Sequence, residues 1–250
     1  TARFWTGAKS VTSEVILLDR SGVPMLTPHP IVNFPQAQQP PAPAVEPRFA
    51  DEDHFHAASV PLNFARNTEI FADGELAGYV YKIVSGVVRV SKLLPDGRRQ
   101  ISAFHLPGDM FGFEVDDIHH VSAEAIGPVK VLAYRWQSLL GASSTDGFVH
   151  ELLNRTMIGL RQTQDHLLLL GRKNALERLA AFLIEMGQRA GSPTELHLAM
   201  PRHDIADYLG LTLETVSRMF AELKDAGIIE LQSARQVSVL DMPKLEAMAA

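Results

Sequence analysis

The chain has 250 residues, 46% hydrophobic and 21% charged, which is long enough for two domains with separate cores. Its formal net charge of −6 excludes a general nucleic-acid binder held by bulk positive charge. Cysteine is absent, which excludes disulfides, thiolate metal sites and cysteine-held iron–sulfur clusters.

No apolar run approaches the ~18 residues of a membrane span, and no charged-then-apolar leader opens the chain. The expectation is a cytoplasmic protein with no membrane partner. Residues 1–50 carry eight of the fifteen prolines, densest from Pro35 to Pro47. Such a run forms neither an interior helix nor a central strand, so it reads as an extended arm with a short strand at 15–18.

From about Phe64 to Arg135, short apolar runs alternate with turn signals. Residues 70–71 precede Asp73-Gly74, 79–84 precede Ser85-Gly86, and 87–94 precede Pro95-Asp96-Gly97. Residues 100–105 precede Pro107-Gly108-Asp109, and 129–134 close the series. Strands at this spacing predict a small antiparallel barrel or jelly roll spanning 51–145. The Asp96-Gly97-Arg98-Arg99 stretch reads as a solvated hairpin tip or a partner contact.

Residues 146–171 switch to helical periodicity. Leu153, Met157, Leu160, Gln164 and Leu167 advance by four, three, four and three, a 3.5-residue seam suited to two helices side by side. The seam fits a dimer contact, with Gln164 as a register-setting polar residue, or a helix packed on its own barrel. A second amphipathic helix is expected over 172–189, with Leu176, Leu179, Ala180, Leu183 and Met186 on one face, stopped by Gly191-Ser192-Pro193.

A short strand at 196–198 and a hairpin of 228–231 with 237–240 frame a helix pair turning at Gly210. Together they predict a winged helix-turn-helix over 172–250, so the fold class is α+β. Thr212 caps the second helix of the pair, and Gly227 ends it in a left-handed conformation. Val216, Met219, Phe220 and Leu223 form its buried face, which leaves Glu214, Ser217, Arg218 and Ala221 pointing outward.

An arginine fork grips guanine O6 and N7, a glutamate accepts from a cytosine amino group, and a serine reaches phosphate or base. Glu214, Ser217 and Arg218 are therefore candidate base-reading residues, with Thr212, Arg202 and His203 as further DNA contacts. The bland alternative for Glu214 and Arg218 is an exposed i, i+4 ion pair. Bulk charge lends no help, since 172–235 hold eight Lys/Arg against nine Asp/Glu.

The stretch from Met200 through Arg202-His203-Asp204-Ile205-Ala206-Asp207-Tyr208-Leu209-Gly210 to Ile229 resembles the DNA-binding motif of the CRP/FNR transcription factors. Glu214, Ser217 and Arg218 match the FNR-type E-x-x-S-R triplet. Leu106-Pro107-Gly108-Asp109-Met110-Phe111-Gly112 and the long helix resemble the family's sensor domain and dimerisation helix. The resemblance covers about 60–240 and implies a homodimer on a TTGA…TCAA-type palindrome in double-stranded DNA. It also implies activation through RNA polymerase.

Two departures narrow the resemblance. The chain lacks the cysteines of an FNR cluster. The stretch from Phe111-Gly112-Phe113-Glu114-Val115-Asp116-Asp117 to Ala123 lacks the arginine that binds a cyclic phosphate. What remains is similar to the FixK-type subgroup, which implies a low-oxygen or nitrogen-fixation programme.

His54, His56, His119 and His120 raise a metal reading, but His54 and His56 precede the barrel among Asp51, Glu52 and Asp53, where exposed helix or loop histidines are the commoner explanation, so no metal or cofactor is assigned. Nothing resembles a catalytic triad, a phosphate-binding glycine loop or a carboxylate pair, so no enzyme is expected. A ligand-gated CRP-like regulator and a cupin-like metal enzyme are the alternatives.

Overall fold

The structure, a computed structural model, describes residues 59–137 and 146–249. The proline-rich arm, the strand expected at 15–18, and His54 with His56 lie outside the described residues. Eight strands come first: β1 (Ser59–Phe64), β2 (Glu69–Phe71), β3 (Tyr79–Ser85), β4 (Val88–Leu93), β5 (Arg99–His105), β6 (Met110–Phe111), β7 (Ser122–Ala125) and β8 (Val129–Arg135). They form two four-stranded antiparallel sheets, ordered β1-β8-β3-β6 and β2-β7-β4-β5.

Side chains from both sheets close one core, with Tyr81, Ile83, Phe111 and Val131 meeting Phe71, Val88, Val90 and Ala123. This is the expected β-roll, although it begins five residues before Phe64. Pro61 hides β1 from a strand search, yet proline is tolerated there because β1 is an edge strand. Strands β6 and β7 are too short to show a period.

The long helix α1 (Asp146–Arg172) follows, then α2 (Ala175–Arg189), β9 (Glu195–His197), α3 (Arg202–Leu209), α4 (Leu213–Asp225), β10 (Ile229–Leu231), β11 (Gln236–Val239) and α5 (Met242–Ala249). The helix expected to start at Arg172 instead starts at Ala175, because Asn174 caps it. The Asn174 side chain accepts from Leu176 N and Glu177 N, and the Glu177 carboxylate accepts from Asn174 N. Arg172 is the last residue of α1. Helix α5 was not expected; Asp241 accepts from Lys244 N at its start and Leu245 is fully buried.

The open alternative for the α1 seam, packing on its own barrel, does not hold. Leu153, Met157, Leu160 and Leu167 are 58%, 56%, 50% and 70% exposed, and Gln164 is exposed beside them.

Helices α2 to α4 share a second core with the outer face of β5. Ser102 is an extra residue opposite the Val90/Ser91 step of β4, and this bulge lets Ile101 and Phe104 both enter the helical core. The ring of Phe104 lies 6.3 Å from Phe182 of α2 and 5.1 Å from Tyr208 of α3. From α1, His166 stacks on Tyr208 at 4.0 Å, so roll, long helix and helix pair meet at one aromatic cluster.

Both ring nitrogens of His166 are buried without a partner, and burial pushes its pKa from 6.5 down to about 4. Below pH 6.5 the unfolded chain takes up a proton that folded His166 refuses, so stability falls between pH 6.5 and about 4. His166→Phe keeps the stack and removes this contribution. Its stability relative to the parent should therefore rise as pH falls through that window in urea denaturation, and a pH-independent difference would contradict the assignment.

Candidate nucleic-acid interface

Helix α3 ends at Gly210, whose φ of 62° and ψ of 39° are left-handed. Leu211 N then bonds back to Ala206 O at 2.9 Å, reversing the chain toward α4. Any other residue at Gly210 would strain the left-handed backbone, although its Cβ would make only ordinary contacts with Leu170 and Arg178.

Arg178 fixes this turn in space. It donates to Lys173 O and Leu170 O at the end of α1, and to Leu209 O at the end of α3, all at 2.8–2.9 Å. One guanidinium thus satisfies carbonyls at two helix C-termini, where positive charge is also favoured by the helix dipoles. Arg178 was not legible in the sequence, because nothing local marks which helix ends it will meet.

Helix α4 begins at Thr212, whose hydroxyl accepts from Thr215 N at 3.1 Å. Its end is a double-bonded left-handed cap. Gly227 has a φ of 67°, and Gly227 N and Ile228 N bond to Lys224 O and Leu223 O. Val216, Met219, Phe220 and Leu223 are buried. Glu214, Ser217, Arg218 and Ala221 are exposed on the opposite side.

Neither Glu214 nor Arg218 makes an ion pair among the described residues, so both remain free to meet a ligand. The Ser217 hydroxyl donates to Leu213 O at 2.8 Å, which leaves its oxygen lone pairs outward. The remaining candidates sit differently. Arg202 lays its guanidinium 3.2 Å from the centre of the Phe220 ring, and burial pushes its pKa down to about 10. His203 is half-exposed, with Nε2 3.2 Å from Asp204.

Asp204, on α3, is fully buried and was not singled out from sequence. Its two oxygens accept from Arg89 of β4 at 2.6 Å and from Arg99 of β5. Arg89 also reaches Glu124 at 2.6 Å, and Arg99 reaches Asp207 at 2.7 Å. The solvated-tip reading therefore needs correction at its last residue. Arg98 stays at the exposed tip with Asp96, whereas the strand geometry of β5 turns Arg99 onto α3.

Strands β10, β11 and β9 pair antiparallel in that order and flank α4 as the wing. Of the four histidines, His119 and His120 have local partners. His119 is buried, stacks on Phe71 at 3.6 Å and lies 3.3 Å from Glu114, while His120 lies 3.1 Å from Asp116. Among the described residues, no group of three His, Asp or Glu could hold a metal ion.

A capped helix presenting Glu, Ser and Arg beside a wing, on a turn braced from behind, defines a winged helix-turn-helix DNA-binding protein. Residues 177–248 match the Crp-like helix-turn-helix domain, and residues 61–146 match the cyclic nucleotide-binding domain. The nitrogen fixation regulation protein FixK of Azorhizobium caulinodans is 45% identical over 195 residues, covering 76% of this chain and 79% of that protein. FixK of Rhizobium meliloti is 42% identical, covering 72% and 82%. The solved structure of FixK2 from Bradyrhizobium japonicum superposes with a TM-score of 0.73 at 44% identity, covering 77% of this chain and 98% of that one.

The chain belongs to the CRP/FNR family of DNA-binding transcription regulators, in its FixK-type subgroup. Its FixK relatives are regulators, not enzymes.

Proposed function

We propose that the chain acts as a cytoplasmic homodimer that reads a TTGA…TCAA-type palindrome and activates transcription by touching RNA polymerase. The observation that carries the base-reading part is the outward triplet of α4. Glu214 and Arg218 lie one turn apart and unpaired, with Ser217 between them. Arg218 is the guanine reader, Glu214 accepts from a cytosine amino group, and Ser217 meets a phosphate or base edge. Thr212 and His203 stand at the helix starts beside the reader, where contacts go to phosphates that position without specifying, whereas Arg202 joins them only by lifting its guanidinium from the Phe220 ring.

The dimer part rests on the seam of α1. A 27-residue helix exposing Leu153, Met157, Leu160 and Leu167 in a 3.5-residue repeat is unfavourable in water unless a second copy covers it. Two copies related by a two-fold axis would set their α4 helices in successive major grooves, about 34 Å apart. The two FixK relatives carry nitrogen fixation in their names, which supports a low-oxygen or nitrogen-fixation programme for this regulator.

Arg218→Ala should cost about 1–3 kcal/mol per half-site in gel-shift affinity and relax preference at the contacted guanine. Equal losses on cognate and scrambled duplexes would reduce Arg218 to a phosphate contact. Leu160→Glu, at a position half-exposed in the single chain, should leave each copy folded and sediment as monomer. A dimer unchanged at micromolar concentration would remove α1 from the interface.

A further inference from the structure

Two arginines flank the segment that leads from β9 into α3. Arg66, at the tip of the β1–β2 turn of the roll, is exposed and makes no ion pair among the described residues. It shares a cleft of about 320 Å³ with Pro201 and His203 at the start of α3. Arg235 lies in the wing turn between β10 and β11, again with no ion pair among the described residues. Its carbonyl accepts from Leu198 N at 2.7 Å, which sets it against the other end of the same segment.

Pinned turns present both side chains. Asn67 takes a left-handed φ of 59°, Asn67 N bonds to Ala125 O at 2.7 Å, and Thr68 N closes the turn on Ala65 O at 3.2 Å. In the wing, the Ser233 hydroxyl accepts from Arg235 N at 3.2 Å and from Gln236 N at 3.0 Å. Behind it, Gln232 donates to the hydroxyl of buried Ser238, which donates in turn to Glu195. Backbone fixed in advance lowers the ordering cost of a later contact. The Asp204 ion pairs hold the roll against α3, so Arg66 keeps a set place relative to α4.

We infer that Arg66 and Arg235 bind the phosphate backbone of the duplex just outside the palindrome, one from the roll and one from the wing. The inference rests on the palindrome reading given above. A lone exposed guanidinium does not hold a small anion. It does add to the grip on a duplex already seated on α4, because every phosphate it neutralises releases condensed counterions. The helix-turn-helix occupies the phosphates of the half-site itself, and the two arginines beside its lead-in meet those that follow. Such contacts position the duplex without reading it. The roll thereby contributes directly to DNA affinity, which an acidic chain draws from a few placed cations instead of bulk charge.

The test is fluorescence anisotropy of the full chain with two duplexes, one ending at the palindrome and one extended by about ten base pairs, a helical turn, on each side. The parent should bind the longer duplex more tightly, whatever the sequence of its flanks. Arg66→Ala and Arg235→Ala should each weaken the longer complex by about threefold or more and leave the shorter one unchanged. Each should also lower the slope of log affinity against log salt by about 1.8 per dimer, two phosphates at ~0.9 apiece. Arg98→Ala, at the exposed hairpin tip, should match the parent on both duplexes. Melting temperatures equal to the parent's establish that the variants are folded, and Arg66→Gln or Arg235→Gln replaces an alanine variant that melts lower. Equal losses on the two duplexes, a variant that matches the parent on the longer one, or a dependence on flank sequence would overturn the proposal. A parent with no preference for the palindrome would instead remove the reading on which it rests.

Discussion

One buried carboxylate joins the two halves of this molecule. Asp204 belongs to the first helix of the DNA-reading pair, is fully removed from solvent, and is gripped by arginines from two adjacent strands of the β-roll. Burying a charge is unfavourable unless partners replace its water, and here each carboxylate oxygen has a guanidinium. An arrangement of this kind contributes more to specificity than to net stability, because an apolar replacement of similar volume would bury as well without fixing an orientation. Any rotation of α3 away from β4 and β5 strands Asp204 without its partners, so the reader is held in one pose against the roll.

The rest of the junction elaborates that constraint. Phe104, Phe182, Tyr208 and His166 fill the space beside it with stacked and edge-on rings. Arg178 ties the ends of α1 and α3 together at the Gly210 turn, so the long helix and the reader share one anchor. Through that anchor the position of α4 follows from that of α1. The acidic net charge is compatible with DNA binding because arginines and carboxylates largely neutralise each other inside the junction. The exposed Arg218 faces outward with its charge unspent.

The exposed face of α4 was legible in the sequence because it depends on local rules: a Thr cap, a terminal Gly, and apolar residues at i, i+3, i+4 and i+7. The strands of the roll were legible where Asp-Gly and Pro-Gly turns bounded them. β1 was hidden by Pro61, which only its edge position tolerates, and α5 by its length. Arg89, Arg99, Arg178 and Asp204 could not be picked out, because Asp204 lies 115 and 105 residues from its two arginines and Arg178 joins the carbonyl of Leu209, 31 residues on, to those at the end of α1. The His166 environment is equally non-local. A seam such as that of α1 shows its period in sequence, but only the fold shows that the roll leaves it uncovered.

Equilibrium urea denaturation of Asp204→Ala tests the central claim most directly. Removing Asp204 leaves Arg89 with Glu124 alone and Arg99 with Asp207 alone, each having lost its fully buried acceptor, so the expected loss is about 3 kcal/mol. A loss below about 1 kcal/mol, the value of a solvent-exposed pair, would contradict the claim that this carboxylate holds the reader to the roll.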